Sequence, residues 1–95
     1  MYRPRLGDDV YVNFINKDDS GHVSACDTGY PLLEWVDPAG KVLVASSAVM
    51  TAQAIGDYYY YASTATTSPG GVFKANIITS VNGVKKNFTM TYEVL

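Results

Sequence analysis

The sequence predicts an all-β sandwich of about seven strands, because three local patterns agree. Apolar and polar residues alternate with a period of two in residues 10–15, 73–78 and 88–94, as expected of strands with one buried and one solvated face. Turn-forming sequences separate these stretches. The eight tyrosines also suit pleated surfaces better than helices.

Short turn sequences place the connections between the predicted strands. Asp37-Pro38-Ala39-Gly40 has the residues preferred in a type I turn, and it joins predicted strands at Leu32–Val36 and residues 41–45 as a hairpin. Asn82-Gly83 predicts a tight turn before the last strand. Ser68-Pro69-Gly70-Gly71 predicts a turn before a strand at residues 72–79.

Residues 46–55 are the one stretch with some helical character. Their alanines permit a helical turn, but the stretch carries no charges and no clear amphipathic stripe. We therefore expect a connection between the two sheets that contains about one helical turn.

The composition excludes several classes of protein. The 95 residues suffice for one core. Seven Lys and Arg against nine Asp and Glu give a net charge of −2, without the basic excess that nucleic-acid binding uses. One Cys and one His provide neither an intramolecular disulfide nor a zinc site of ordinary ligand count. No apolar run approaches the roughly 20 residues of a membrane-spanning helix.

The N-terminal residues lack the apolar stretch and the cleavage site of a secretory signal. We therefore expect a protein made in the cytoplasm, with an N-terminal arm at residues 1–7 and one domain at residues 8–95. Arg3 and Arg5 flank Pro4 in this arm. They are either part of a solvated terminus or a contact to an acidic surface on a neighbouring protein.

Taken together, the turns and strands resemble the Ig-like sandwich modules of phage virion proteins, bacterial surface proteins and macroglobulin-type domains. The resemblance covers almost the whole chain and implies an Ig-like antiparallel sandwich. The sequence lacks the paired cysteines of antibody domains, so no inter-sheet disulfide is implied. It implies little about function, because such sandwiches have many unrelated roles. The residues that carry it are Gly7-Asp8, Val10-x-Val12, Leu33-x-Trp35-x-Asp37-Pro38-x-Gly40-Lys41-Val42, Met50, Gly56-x-Tyr58-x-Tyr60, Pro69-x-Gly71-Val72-Phe73-Lys74-Ala75 and the final strand from Phe88 to Val94.

The inward-facing positions of these strands predict the core. The predicted core residues are Val10, Val12, Phe14, Leu33, Trp35, Val42, Val44, Tyr58, Tyr60, Phe73, Ala75, Ile77, Phe88, Met90, Tyr92 and Val94.

Four consecutive tyrosines, residues 58–61, carry the most information about function. On a strand they must place two rings on each face. The resemblance implies that Tyr58 and Tyr60 point inward, so Tyr59 and Tyr61 point outward, as does Tyr11 on the first long strand. Several exposed tyrosines on one sheet are typical of a protein interface. A purely structural cross-strand aromatic cluster explains them equally well.

The sequence offers little catalytic or metal-binding chemistry. His22 and Cys26 could pair as a base and a nucleophile, but both fall in or beside a loop with no rigid element to orient them. Five aspartates could gather as a calcium site at one end of the sandwich, yet each has a local role in a turn or loop. We therefore expect no catalytic residues, no metal and no cofactor. The aspartates are Asp18, Asp19, Asp27, Asp37 and Asp57.

The leading prediction is a non-catalytic interaction module, most specifically a small phage virion component such as a capsid decoration, neck or tail accessory protein. Its expected partners are other virion or surface proteins or a second copy of the chain, with neither nucleic acid nor membrane. The candidate interface residues are Tyr11, Tyr59, Tyr61, Arg3 and Arg5. Two alternatives stay open: a bacterial cell-surface or adhesin module cut from a longer chain, and a carbohydrate-binding module that uses the same tyrosines.

Overall fold

A computed structural model of the chain describes residues 4–64 and 70–95. It contains seven strands and, within those residues, no helix. No helix long and apolar enough to span a membrane is therefore found in that part of the chain. The strands are β1 (Asp9–Ile15), β2 (Leu32–Val36), β3 (Val42–Val49), β4 (Thr51–Ala54), β5 (Asp57–Ser63), β6 (Gly71–Val81) and β7 (Val84–Val94).

The strands form two antiparallel sheets that enclose one core. One sheet has the order β1-β5-β4 and the other β3-β2-β6-β7. Buried side chains from both sheets form a single apolar cluster, which is the arrangement of a β-sandwich. The predicted fold class, an antiparallel sandwich of about seven strands, is confirmed.

Both predicted hairpin turns are present. Gly40 donates its N–H to the carbonyl of Asp37, and the carboxylate of Asp37 accepts hydrogen bonds from the N–H groups of Ala39 and Lys41. Asn82 and Gly83 both have positive φ, which is the geometry of a two-residue hairpin, and they join Val81 to its partner Val84. The turn predicted at residues 68–71 lies partly outside the described residues.

The helical turn predicted within residues 46–55 is wrong. The segment is extended: β3 runs to Val49 and β4 begins at Thr51. Between them, the buried Met50 marks the point where the chain crosses from one sheet to the other, and its N–H donates to the carbonyl of Pro31. The predicted connection between sheets is therefore this single residue, flanked by strands.

Trp35 is the centre of the core. Its side chain is fully buried, and its ring lies 5.4 Å from the Phe73 ring and 5.8 Å from the Tyr92 ring, measured between centroids. The indole N–H donates to the carbonyl of Ser63, 3.1 Å away on the opposite sheet. One side chain thus joins both sheets through packing and a hydrogen bond.

Most of the predicted core is observed. Ten of the predicted residues are buried, and four more are half-buried against them. Met50 and Ala62 are buried core residues that the sequence patterns did not predict. The buried ten are Val10, Val12, Phe14, Leu33, Trp35, Tyr58, Phe73, Ala75, Ile77 and Val94, and the half-buried four are Val44, Tyr60, Met90 and Tyr92.

Two predicted core residues, Val42 and Phe88, are instead exposed, by 49% and 40%. The register between β2 and β3 shifts where Val36 pairs with Val42, and Leu43 packs against the core instead. Phe88 lies in the first half of β7, in which the side chains of residues 84–89 are all exposed. Its ring still contacts Phe14 of the other sheet, at 5.2 Å between centroids.

Asp27 holds the β6–β7 turn against the loop between β1 and β2. Its carboxylate accepts hydrogen bonds from the Gly83 and Asn82 N–H groups and from the Ser80 hydroxyl. These bonds, led by the one from Gly83, lower the pKa of Asp27 below its ordinary value, because they stabilise the ionised carboxylate.

Within the arm predicted at residues 1–7, the described part is bonded to the sandwich. Leu6 donates to the carbonyl of Leu95, and Leu95 donates in turn to the carbonyl of Pro4. Gly7 donates to the backbone carbonyl and the hydroxyl of Thr64, and Leu6 packs against the core. These contacts attach the start of the chain to the end of β7.

Replacing Trp35 with Phe should destabilise the protein by about 2–3 kcal/mol. The change keeps an aromatic ring but removes part of the buried volume and leaves the Ser63 carbonyl without the indole donor. Urea unfolding followed by circular dichroism measures the difference. As a control, Val42→Ala at an exposed position should change the free energy of unfolding by less than about 0.5 kcal/mol. Equal losses in the two variants would contradict the central role of Trp35.

Asp27 should contribute stability at neutral pH that disappears in acid. Because its folded-state pKa lies below its unfolded value, the contribution is present above about pH 4 and is lost as the pH falls through the folded-state pKa. The Asp27→Asn variant should therefore unfold at lower urea than the wild type at pH 6, with a smaller difference at acidic pH. Asp19→Asn, which removes an exposed carboxylate that pairs with Lys86 and takes no part in the hydrogen bonds of Asp27, serves as the control. A constant difference between Asp27→Asn and wild type at all pH values would contradict this prediction.

Candidate functional site

Three tyrosines share the outer surface of the β1-β5-β4 sheet. Tyr11 on β1 lies directly opposite Tyr61 on β5. Tyr59 precedes Tyr61 by two residues on β5 and therefore lies on the same face. Tyr11 and Tyr61 are 44% and 60% exposed, and Tyr59 is half-buried. We call this surface, together with its polar neighbours Asn13, Gln53 and Asp57, the tyrosine face.

The three rings contact one another. The centroids of Tyr11 and Tyr61 are 5.2 Å apart, those of Tyr59 and Tyr61 5.7 Å, and those of Tyr11 and Tyr59 6.0 Å. The first pair is tilted, the second is edge-to-face and the third is stacked. Such contacts limit ring motion, so the cluster presents a pre-arranged aromatic surface to solvent.

Hydrogen bonds connect the polar side chains of the tyrosine face to one another. The Gln53 amide donates to the Tyr11 hydroxyl at 3.1 Å and to the Asp57 carboxylate at 3.0 Å. The Asn13 amide also donates to Asp57, at 2.7 Å, and to the backbone carbonyl of Tyr58. Side chains from β1, β4 and the start of β5 are therefore connected across the whole sheet.

On the opposite side of β5, Tyr58 and Tyr60 point inward as predicted. Tyr58 is buried, and its hydroxyl accepts a hydrogen bond from the Cys26 N–H at 2.8 Å. Burial raises the pKa of Tyr58. The tyrosine run is thus divided between a core side and a solvent side.

The polar members of the face were not among the predicted site residues. Asn13 and Asp57 have the same strand parity as the three tyrosines, and that parity could have identified them. Gln53 could not be placed, because its strand β4 was predicted as a connection with a helical turn.

Of the two candidate arginines, the structure describes only Arg5, which lies in the arm before β1. Arg3 lies outside the described residues. The side chain of Arg5 is exposed, while its backbone N–H donates to Asp8 and its carbonyl accepts from Thr64. The interface role predicted for both stays a prediction.

His22 and Cys26 show no arrangement for nucleophilic catalysis. The side chain of His22 is 82% exposed in the loop after β1. Cys26 is half-buried, and burial raises the pKa of its thiol, which lowers the fraction of reactive thiolate. This pair therefore lacks the activated thiol that the mechanism needs.

The aspartates do not gather at one end of the sandwich. Among residues 4–64 and 70–95, no three His, Cys, Asp or Glu side chains come together as a possible metal site. Asp18 accepts backbone N–H groups in its own loop, while Asp57 belongs to the tyrosine face. A shallow cleft of about 290 Å³ lies between residues 16–19 and the β6–β7 turn. Lys86 and Asp19, both on its wall, form an exposed ion pair at 3.3 Å.

Comparison with known protein families, with curated protein sequences and with solved structures finds no match to this chain.

Proposed function

We propose that the protein is a non-catalytic interaction module that docks other proteins on its tyrosine face. The observation that carries the proposal is the contact between three outward-facing tyrosine rings on one sheet. Tyrosine supplies a large amphipathic contact area at a low cost in side-chain entropy, and it is enriched at binding hot spots.

The polar chain beside the rings supports docking. Because Gln53 and Asn13 fix Asp57 and the Tyr11 hydroxyl, little side-chain freedom would be lost when a partner covers the face. The polar groups would border a partner's contact, which matches the apolar centre and polar rim of protein interfaces.

The most specific form of the proposal is a small virion accessory protein of a phage. Its support is the Ig-like sequence resemblance together with the strand order. Among the described residues, the orders β1-β5-β4 and β3-β2-β6-β7 match those of an Ig-type sandwich without its first strand, which supports this form of the proposal. The buried Trp35 lies on β2, the strand that carries the core tryptophan in antibody domains.

A carbohydrate-binding module is the second candidate, and one observation favours it. Rings that can stack on a sugar lie beside amide and carboxylate groups that can bond its hydroxyls, namely Asn13, Gln53 and Asp57. These groups already bond one another, so a sugar would have to compete with them.

The double variant Tyr59→Ser, Tyr61→Ser should lose protein association while keeping the fold. Light scattering over a roughly hundredfold concentration range measures the solution mass, and thermal unfolding measures the fold. The loss of ring contacts should cost about 1–2 kcal/mol of stability. The expected result is a mass above 10.3 kDa for the wild type and a smaller mass for the variant.

A matched control replaces Val42 and Val72 with Ser, since both are exposed apolar residues of the other sheet. It should associate like the wild type. Unchanged association of the tyrosine variant would contradict the proposal. If that variant unfolds, the wild-type rings of Tyr59 and Tyr61 are needed for the fold instead. Saturable binding of a cell-wall or capsular glycan by a monomeric wild type, lost in the tyrosine variant, would favour the carbohydrate alternative.

The virion assignment has its own test, which is mass spectrometry of purified virus particles and of cell-wall fractions from the source of the sequence. We expect the chain in the particles at a fixed ratio to the major capsid or tail protein. Its presence in the cell-wall fraction alone would favour the adhesin alternative.

A further inference from the structure

The four edge strands of the sandwich differ in how they are protected from pairing with another chain. β4 has only four residues and an irregular register, and β3 has two register shifts. β7 carries exposed Lys85, Lys86 and Glu93, and the arm is bonded at its end. Short length, bulges, charges and covering segments all discourage edge pairing.

Among the described residues, β1 shows neither a short length, nor a bulge, nor a covering segment. It pairs with β5 over seven residues without a register shift, and it contains no proline, lysine or arginine. Its one charged residue, Asp9, stands at its first position. Of its outward side chains, Tyr11 and Ile15 are large and are 44% and 48% exposed. An extended, regular and partly apolar edge of this kind favours the addition of a strand.

The hydrogen bonds at both ends of β1 fix which backbone groups face this edge. Thr64 donates to the Asp8 carbonyl, and Asn16 donates to the Gly56 carbonyl. Residues 8 and 16 therefore bond toward β5, as do the even-numbered residues between them, because an antiparallel ladder alternates. The N–H and C=O groups of Asp9, Tyr11, Asn13 and Ile15 point to the opposite side. Among the described residues, no strand pairs with them there.

We propose that β1 pairs antiparallel with β1 of a second copy of this chain, around a two-fold axis at Val12. In this register each of the four residues whose backbone groups point away from β5 pairs with one such residue of the second copy. Each pair exchanges two backbone hydrogen bonds. The two three-stranded sheets become one continuous sheet, and the tyrosine faces of both copies lie side by side.

The charge distribution favours a second copy as the occupant. With the axis at Val12, Asp9 of each copy lies opposite Ile15 of the other, so the two carboxylates are at opposite ends of the paired strands. Tyr11 lies opposite Asn13. Shifting the axis to Tyr11 or Asn13 leaves only three outward pairs, so the proposed register uses the edge most fully.

This pairing deepens the proposed interaction role and rests on it, but it uses a different surface from the tyrosine rings of β5. Seven paired residues bury less than the roughly 1,200 Å² at which stable interfaces begin. We therefore expect a weak dimer with a dissociation constant above about 1 µM, so that it dissociates on dilution below that concentration. The dimer presents a doubled tyrosine face.

The test is light scattering of the full-length wild type, of Ile15→Asp and of the double variant Asp9→Lys, Ile15→Asp. The Ile15→Asp change places a carboxylate opposite Asp9 of the second copy and should weaken dimerisation about tenfold or more. The double variant restores opposite charges across the interface and should dimerise again. Asp57 lies opposite Ile15 within each chain in both variants, so rescue isolates the contact between chains. Thermal unfolding of each variant checks that the fold is kept.

A wild type that stays monomeric at every concentration overturns the pairing, as does an Ile15→Asp variant that dimerises normally or a double variant that fails to recover. The Tyr59→Ser, Tyr61→Ser variant distinguishes this failure from that of the proposed function. Its two substitutions lie on β5, one strand away from the edge. Its mass should therefore fall from that of larger assemblies formed through the tyrosine face to twice 10.3 kDa, which is the mass of the β1-paired dimer. An unchanged mass contradicts the proposed function, whereas a fall to 10.3 kDa contradicts the pairing.

Discussion

The structure depends on the burial of Trp35 between the two sheets. Its ring fills the centre of the core against Phe73 and Tyr92, and its N–H requires a partner that the Ser63 carbonyl supplies from the opposite sheet. A buried donor without an acceptor is costly, so this bond constrains the position of β5 relative to β2 as well as their separation. Through the contact with Phe73 and the bond to Ser63, this one side chain connects β2 to both β6 and β5.

The tyrosine face follows from that constraint. Because Tyr58 of β5 points into the core, the alternation of side chains along the strand places Tyr59 and Tyr61 on the solvent side. There Tyr11 of β1 lies directly opposite Tyr61. The other side of this sheet faces the core, so among the described residues these rings contact one another and their polar neighbours on the solvent side. Their mutual contacts and the Gln53–Asp57–Asn13 chain fix the surface without hiding it. The β1 edge, which pairs with no strand among the described residues, borders the same surface, so both proposed contacts lie on one sheet.

Sequence patterns predicted the strands whose alternation is regular and the turns whose chemistry is local. They failed where a neighbouring strand decides the outcome. Leu43 displaces Val42 from the core because of a register shift that no local pattern indicates, and Phe88 is exposed because the first half of β7 is poorly covered. Residues 46–55 carry alanine and serine, which are weak strand formers, so their extended conformation comes from pairing with β2 and β5. Because β4 was not predicted as a strand, the position of Gln53 in the candidate site could not be predicted either.

By itself, the sequence determined the all-β class, the hairpin at Asp37-Pro38-Ala39-Gly40, the Asn82-Gly83 turn and the division of the four tyrosines between two faces. Each of these depends on the period of a strand or on the φ preference of a turn residue, which are properties of neighbouring residues. Only the tertiary structure decided which strands are adjacent, that Tyr11 meets Tyr59 and Tyr61, that Gln53 and Asp57 join them, and that β1 is the least protected edge. Those features arise from contacts between residues far apart in the chain, and they form only when the shared core brings the strands together.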